Sequence, residues 1–295
     1  MRDMDASMGW VRVTDQSPCP ICKRNDWCTY TGDGEVVLCM RVPSDREQSA
    51  GGWVHYLDDP LPAVDVKPKA VIPPQECSAL ARRLYEHEKA AATREALAET
   101  LGVSVASLEA LRVGWGVDYT GREWASFPSR RADGQIIGIV RRYLDDGEKR
   151  TYPGTSNAGV FCLPDWWKTP GVIVVVEGGS DVAAAATVGV SAIGRPSNCG
   201  GAETIAEMLR LRAEFRPVVV VAERDEKPGK RGFIDSCQSD CSGCPHCFPG
   251  RVGAERVASR LGVGWCFPPE GSKDFREALR SGVWLDCLRF IQAVR

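Results

Sequence analysis

The pattern of apolar and polar positions changes several times along the chain, and each change predicts a different element. Two runs, Val172-Ile173-Val174-Val175-Val176 and Val218-Val219-Val220-Val221-Ala222, show no alternation at all. Uninterrupted β-branched residues of that length predict strands buried on both faces, as in a mostly parallel sheet. The Ala-rich stretch 181–188 predicts a helix, and so do 202–212 and 252–261. Val263-Gly264-Trp265-Cys266-Phe267 reads as a weaker third strand, and Gly271-Ser272-Lys273-Asp274-Phe275 opens a final helix expected to reach about Arg295. Strands alternating with helices predict an α/β fold for 171–295.

Upstream the periodicity is different. Ser78 to Leu101 is rich in Ala, Leu, Glu and Arg and predicts helix. Leu97 to Leu111 reads as helix, Gly102 turn, helix, with Ser104 as N-cap, a pair that serves packing rather than DNA readout. Asp133-Gly134 between two apolar runs, 124–128 and 136–140, is a hairpin signal. Residues 77–170 therefore form a small mixed α+β subdomain. A proline-punctuated linker covers 59–76. Residues 1–58 carry short strand-like pieces such as Glu35-Val36-Val37-Leu38, with too few apolar residues for a core, so this piece needs a staple.

Composition narrows the classes. With 295 residues and 43% hydrophobic content the chain can bury two or three domains. A net charge of −2 excludes a polycation, so nucleic-acid contact must come from local basic patches. No apolar stretch approaches membrane-spanning length, which predicts no membrane partner. Met1-Arg2-Asp3-Met4-Asp5 lacks the apolar centre of a signal peptide, so the expected location is the cytoplasm. No P-loop motif occurs, which argues against a fused motor.

Thirteen cysteines would be unusual as disulfides in a cytosolic protein, and eight of them fall into two tight groups, which favours metal binding. Cys19-Pro20-Ile21-Cys22 is a knuckle, followed by Cys28 and Cys39 at spacings a β-ribbon can close. Four thiolates there predict a structural Zn²⁺, with His55 as a substitute ligand for Cys28. The plainer reading is a set of small buried hydrophobes, which a core-poor segment disfavours. Cys237, Cys241, Cys244 and Cys247 form a second quartet inside an irregular insertion, 229–250. It reads as a second zinc, and an iron–sulfur cluster uses the same ligands. Cys77, Cys162, Cys199, Cys266 and Cys287 are scattered packing residues.

The two apolar runs end in acid. Glu177 follows the first and Glu223-Arg224-Asp225 the second, and Lys273-Asp274 comes after the weaker third strand. Ligands of open α/β sheets gather at the carboxyl ends of the strands. One acidic end fits helix capping; three fit a divalent-metal cluster with oxygen ligands. In an extended segment Glu223 and Asp225 would point the same way and address one ion together.

These residues resemble the Toprim fold shared by bacterial and phage primases, topoisomerases and some nucleases. Glu177-Gly178 matches its first element, Glu223-Arg224-Asp225 its Asp-x-Asp with Glu in the first place, and Lys273-Asp274 its third. The order zinc ribbon, linker, mixed subdomain, Toprim is that of replicative primases. The resemblance implies a DNA-dependent RNA polymerase making short primers on single-stranded DNA from ribonucleoside triphosphates. A replicative helicase would act in trans. It implies that Glu177, Glu223, Asp225 and Asp274 hold Mg²⁺ or Mn²⁺, with Lys273 supporting phosphate charge. Arg141, Arg142, Lys149 and Arg150 then hold template or triphosphate, and Trp27 or Trp53 stack on template bases. A solvated hairpin face is the plainer reading of the four cations. Competing functions are a Toprim nuclease, for which no well-placed histidine is evident, and a non-catalytic zinc-bearing nucleic-acid-binding factor.

Overall fold

The computed structural model describes residues 9–48, 52–64, 71–213, 215–225 and 247–283. The chain forms two compact units, one up to residue 70 and the other from residue 71.

The first unit is an antiparallel four-stranded sheet, β1 (Trp10–Arg12), β2 (Thr29–Thr31), β3 (Val36–Cys39) and β4 (Trp53–Tyr56), paired in chain order. Its core is small: Val13, Tyr30, Val37 and the buried Cys19, Cys28 and Cys39. Leu61 N donates to Gly34 O (3.0 Å) and Val64 N to Gly32 O (2.8 Å), so residues expected in the linker are tied to the β2–β3 turn.

The second unit opens with α1 (Pro74–Glu86), α2 (Ala90–Leu101) and α3 (Val105–Ala110). Its first ties come before α1, where Ile72 N donates to Gly154 O (2.8 Å). The single helix expected over 78–101 is broken at residues 87–89. There His87 stacks on Trp115 with ring centroids 4.3 Å apart, and Lys89 lies 4.8 Å from the same ring and 3.0 Å from Glu123. Those contacts offset the lost helical bonds. Gly102 closes α2 at φ 68°, and the Ser104 side chain caps α3 by accepting from Ser107 N. Four antiparallel strands follow: β5 (Gly114–Val117), β6 (Glu123–Arg130), β7 (Ile136–Tyr143) and β8 (Lys149–Thr151). Cys77 and Ala81 of α1 pack on Ile139 of β7.

The rest of this unit is doubly wound. Its elements are β9 (Phe161–Cys162), β10 (Ile173–Glu177), α4 (Gly178–Thr187), β11 (Ser191–Arg195), α5 (Ala202–Arg212), β12 (Val218–Val221), α6 (Pro249–Leu261), β13 (Gly264–Cys266) and α7 (Phe275–Arg280). The sheet order is β13-β12-β10-β11-β9, parallel except for β9 at one edge. The apolar runs serve both faces. Val174, Val176, Val219 and Val221 pack with α4 on one side; Ile173, Val175 and Val220 pack with α5 and α6 on the other. This is the expected mostly parallel α/β core preceded by a mixed α+β subdomain.

The final helix is shorter than expected. It ends at Arg280, where Gly282 takes φ 77° and Val283 N returns to Ala278 O (3.2 Å). A left-handed glycine with that bond terminates a helix. Residues 284–295, and most of the insertion 229–250, lie outside the described residues. No described helix is long and apolar enough to cross a membrane.

Candidate active site and metal centres

Three parallel strands deliver the acidic residues to one edge of the sheet. β10 ends at Glu177, and the chain turns at once into α4 through Gly178, which takes φ 76°. Gly179 comes next, and a Cβ there would sit 2.6 Å from the Phe127 ring. One glycine permits the turn and the other the close approach. Asp181 then falls on the first turn of α4, only 3% exposed.

Asp181, Glu223 and Asp274 place carboxylate oxygens within 4.8 Å of one another. Asp181 was not singled out in the sequence, although it lies four residues after Glu177 at a helix start. Glu177 and Asp225 stand outside this group. The extended alternation expected to unite Glu223 with Asp225 fails because β12 ends at Val221. Asp225 instead accepts from Gly250 N (2.8 Å) at the start of α6. Asp274 caps α7, its Oδ1 accepting from Glu277 N (2.7 Å).

The electrostatics fit a cation. Burial pushes the Asp181 carboxyl well above its usual range, and Asp274 and Glu223 push it further. Burial and then Glu223 raise Glu177 to about 7, against Arg195 and Lys149. Two arginines partly compensate: Arg276 lies 3.9 Å from Asp181 and 3.4 Å from Asp274, and Arg195 lies 4.0 Å from Glu177. Lys273 Nζ is 3.2 Å from Glu223 Oε2. Burial opposes the Lys273 charge, but Glu223 outweighs it and the net shift is upward. Hard oxygen donors crowded this closely suit Mg²⁺ or Mn²⁺.

A cavity of about 200 Å³ adjoins this centre, with Glu177, Gly178 and Ser180 on one side and Arg142, Lys149 and Arg150 on the other. Burial, followed by Arg276, lowers the Arg142 pKa. Arg150 is exposed and paired with Glu148 at 2.8 Å. Arg141 is absent from the cavity lining. Its guanidinium sits 5.7–5.9 Å from the Trp124, Tyr143 and Tyr152 ring centroids, and Nη2 donates to Thr151 O (3.5 Å). Neighbouring residues of a strand face opposite ways, so β7 sends Arg142 and Arg141 to different surroundings.

In the first unit, Cys19, Cys22, Cys28 and Cys39 bring their sulfurs within 4.8 Å of one another. His55 is not among them; its Nε2 pairs with Val42 O (3.0 Å). Met40 N donates to Cys28 Sγ (3.4 Å), Val42 N to Cys39 Sγ (3.3 Å), and Arg41 Nη1 to Cys28 Sγ (3.6 Å). A hydrogen bond from Cys19 holds Cys39 down to about 3, while the bond between Cys19 and Cys28 raises Cys28. Four such sulfurs cannot all ionise without a cation, and the donor set fits tetrahedral Zn²⁺. Of the second quartet, Cys247 is described and buried; Cys237, Cys241 and Cys244 lie outside the described residues.

No family model matches the chain, and no curated protein matches it. Solved structures do. The Aquifex aeolicus primase, in its zinc-binding and RNA polymerase domains, aligns at TM-score 0.50 and 14% identity over 76% of this chain and 62% of that one. The fold is shared with bacterial primase. The Escherichia coli primase catalytic core aligns at TM-score 0.49 and 17% identity over 74% of this chain and 78% of that one. The primase fragment of the bacteriophage T7 primase-helicase aligns at 0.47 and 16% over 95% and 99%.

Proposed function

We propose that the chain is a primase, a template-directed RNA polymerase joining ribonucleoside triphosphates on single-stranded DNA. The observation that carries this reading is the meeting of Asp181, Glu223 and Asp274 beside a cavity faced by Arg142, Lys149 and Arg150. The fold shared with bacterial primase supports it.

In this reading Asp181, Glu223 and Asp274 hold Mg²⁺ or Mn²⁺, and Glu177 and Asp225 complete the negative field. The ion supplies charge for the triphosphate and a lowered pKa for the attacking 3′-hydroxyl. Lys149 and Arg142 hold the triphosphate, Arg150 its exposed end or the template. Lys273 balances Glu223 until substrate arrives. The 3′-oxygen of the growing strand would lose its proton and bond to the α-phosphorus while the α–β phosphoanhydride bond breaks and pyrophosphate leaves. The zinc unit offers Trp27 (53% exposed) and Tyr56 (48% exposed) for stacking on template bases. A second zinc on Cys237, Cys241, Cys244 and Cys247 and a helicase acting in trans belong to the same proposal.

The test is incorporation of labelled ribonucleotides on varied single-stranded DNA templates with Mg²⁺ or Mn²⁺. Short RNA products that vanish in Asp181→Asn support the reading. Cleavage of DNA without nucleotides, and no RNA, makes the centre a nuclease instead. Neither activity, with Asp181→Asn indistinguishable from wild type in zinc-dependent DNA binding, leaves a binding factor.

A further inference from the structure

A second cavity, of about 280 Å³, shares no lining residue with the acidic cleft. It lies between α1 and the β6–β7 turn, and Arg82, Arg112 and Arg130 all reach it, with Tyr85 and Ser78 beside them. Three arginines line one cavity where the sequence offered no motif.

Arg130 is the telling member. It is 9% exposed, its Nη1 donates to Gly134 O (3.0 Å), and its buried Nε has no acceptor. Among the described residues no carboxylate comes within ion-pair distance of Arg130 or Arg112. Burial depresses the Arg130 pKa, Cys162 opposes it in part, and Arg112 adds a smaller depression. A buried guanidinium without an anion is costly, and such a group is normally paired.

Arg112 adds an independent sign. It follows α3 at φ 60°, the left-handed position that normally takes glycine. An arginine there accepts backbone strain to put a cation at this point. Its guanidinium lies 5.1 Å from the Tyr85 ring centroid, which orients the plane while leaving its edge donors free. Arg82 has an acid nearby, Glu86 at 3.6 Å, but both are well exposed and such a pair holds loosely.

We propose that this cavity binds a phosphate group, carried by a free nucleotide or by a nucleic-acid strand. Three arginines and the Ser78 hydroxyl offer more donors than one carboxylate can accept, whereas a phosphate presents several charged oxygens to bidentate guanidinium. Apolar Ile136 on the wall leaves room for the group that bears the phosphate.

The test does not depend on the polymerase reading, because it is run on the full chain without divalent cation or nucleotide turnover. Arginines are modified with phenylglyoxal and mapped by mass spectrometry, with inorganic phosphate or a short single-stranded oligodeoxynucleotide as probe. Modification of Arg82 and Arg112 is expected to slow about tenfold with one probe. Protection by inorganic phosphate assigns a free phosphate ligand; protection by the oligonucleotide alone assigns the strand. Arg112→Gly relaxes the backbone, so it folds at least as well, and yet it should lose the protection of Arg82. Unchanged modification rates with both probes, or protection of Arg82 that persists in Arg112→Gly, would overturn the assignment.

Discussion

The guanidinium of Arg195 sits behind the carboxylate of Glu177, Nη2 to Oε2 4.0 Å apart, with no solvent exposure of the arginine. The two residues are register partners on β10 and β11. Arg195 also donates to Val176 O (3.4 Å), to Val221 O (3.2 Å) and to Asn198 O. It therefore ties three backbone segments together beneath the acidic centre. Arg195→Met removes the charge and leaves these carbonyls to seek other donors. The expected cost is about 3 kcal/mol, read from urea unfolding. Arg195→Lys should recover only part of it, since an ammonium lacks the planar fork.

The raised Glu177 carboxyl sets a pH dependence with a definite sign. Its ordinary pKa is 4.5 and its folded value about 7. Between these values the unfolded chain has released a proton that the folded chain keeps. Stability therefore falls as pH rises through this window, by about 3 kcal/mol if Glu177 acts alone. Asp181 shifts in the same direction and adds to the fall. Mg²⁺ binds the ionised folded form, so it should restore stability at the upper end of the window. Urea midpoints for the zinc-loaded protein, measured across this range with and without Mg²⁺, check the sign. Glu177→Gln should flatten the curve, and a metal-free protein that gains stability with rising pH would contradict the assignment.

Asp181 on α4 and Asp225 after β12 separate by function. Asp181→Asn should lower ribonucleotide incorporation by about a hundredfold and weaken Mg²⁺ binding in titration calorimetry. The same change relieves repulsion with Asp274 and Glu223, so the metal-free protein should become more stable. Asp225→Ala should behave differently. It removes the acceptor for Gly250 N and the acid at the start of α6, at a cost of about 1 kcal/mol. Its Mg²⁺ affinity should drop less than that of Asp181→Asn.

The sheet and most of its helices were legible because uninterrupted valines admit few alternatives. Asp274 was legible as acid following a strand. Asp181 was hidden because its role depends on Gly178 starting the helix at once, which puts the fourth residue over the strand end. Arg195 was hidden with its strand: Ser191-Ala192-Ile193-Gly194 is short and mixed in character, and its place in the sheet comes from pairing with β10. Glu223 stands where the resemblance has Asp, and the longer arm brings it into the carboxylate group while Asp225 turns to α6. The phosphate-binding cavity proposed above was invisible for a different reason. Arg82, Arg112 and Arg130 are distant in sequence and meet only through the packing of α1 on the antiparallel sheet.

Arg141 and Arg142 give a contrast within β7, with Lys149 of β8 on the side of Arg142. Arg142→Ala and Lys149→Ala remove groups that line the acidic cleft, so each should raise KM for ribonucleoside triphosphate by about tenfold. Arg141→Ala removes a group packed among Trp124, Tyr143 and Tyr152. It should cost about 1 kcal/mol of stability and leave KM nearly unchanged. Steady-state kinetics on a fixed template, beside thermal unfolding, separate the two behaviours.

The first unit has only a small core around its four sulfurs, so if the proposed zinc is held there its fold should depend on the ion. Removing zinc with a strong chelator should abolish amide protection over β2, β3 and β4 while β10 and β12 stay protected, as followed by hydrogen exchange. Arg41 offers a finer probe. It is 2% exposed, Nη2 lies 2.6 Å from Asp26 Oδ1, and Nη1 donates to the Cys28 sulfur and to Asp26 O. It thus balances thiolate charge without being a ligand. Arg41→Met keeps all four cysteines and most of the side-chain volume but withdraws that charge and those donors. Zinc affinity should fall by about tenfold or more in competition with a chromogenic chelator, while the zinc-loaded variant remains folded. An unchanged affinity would mean that the Met40 and Val42 amides alone suffice to hold the thiolates ionised.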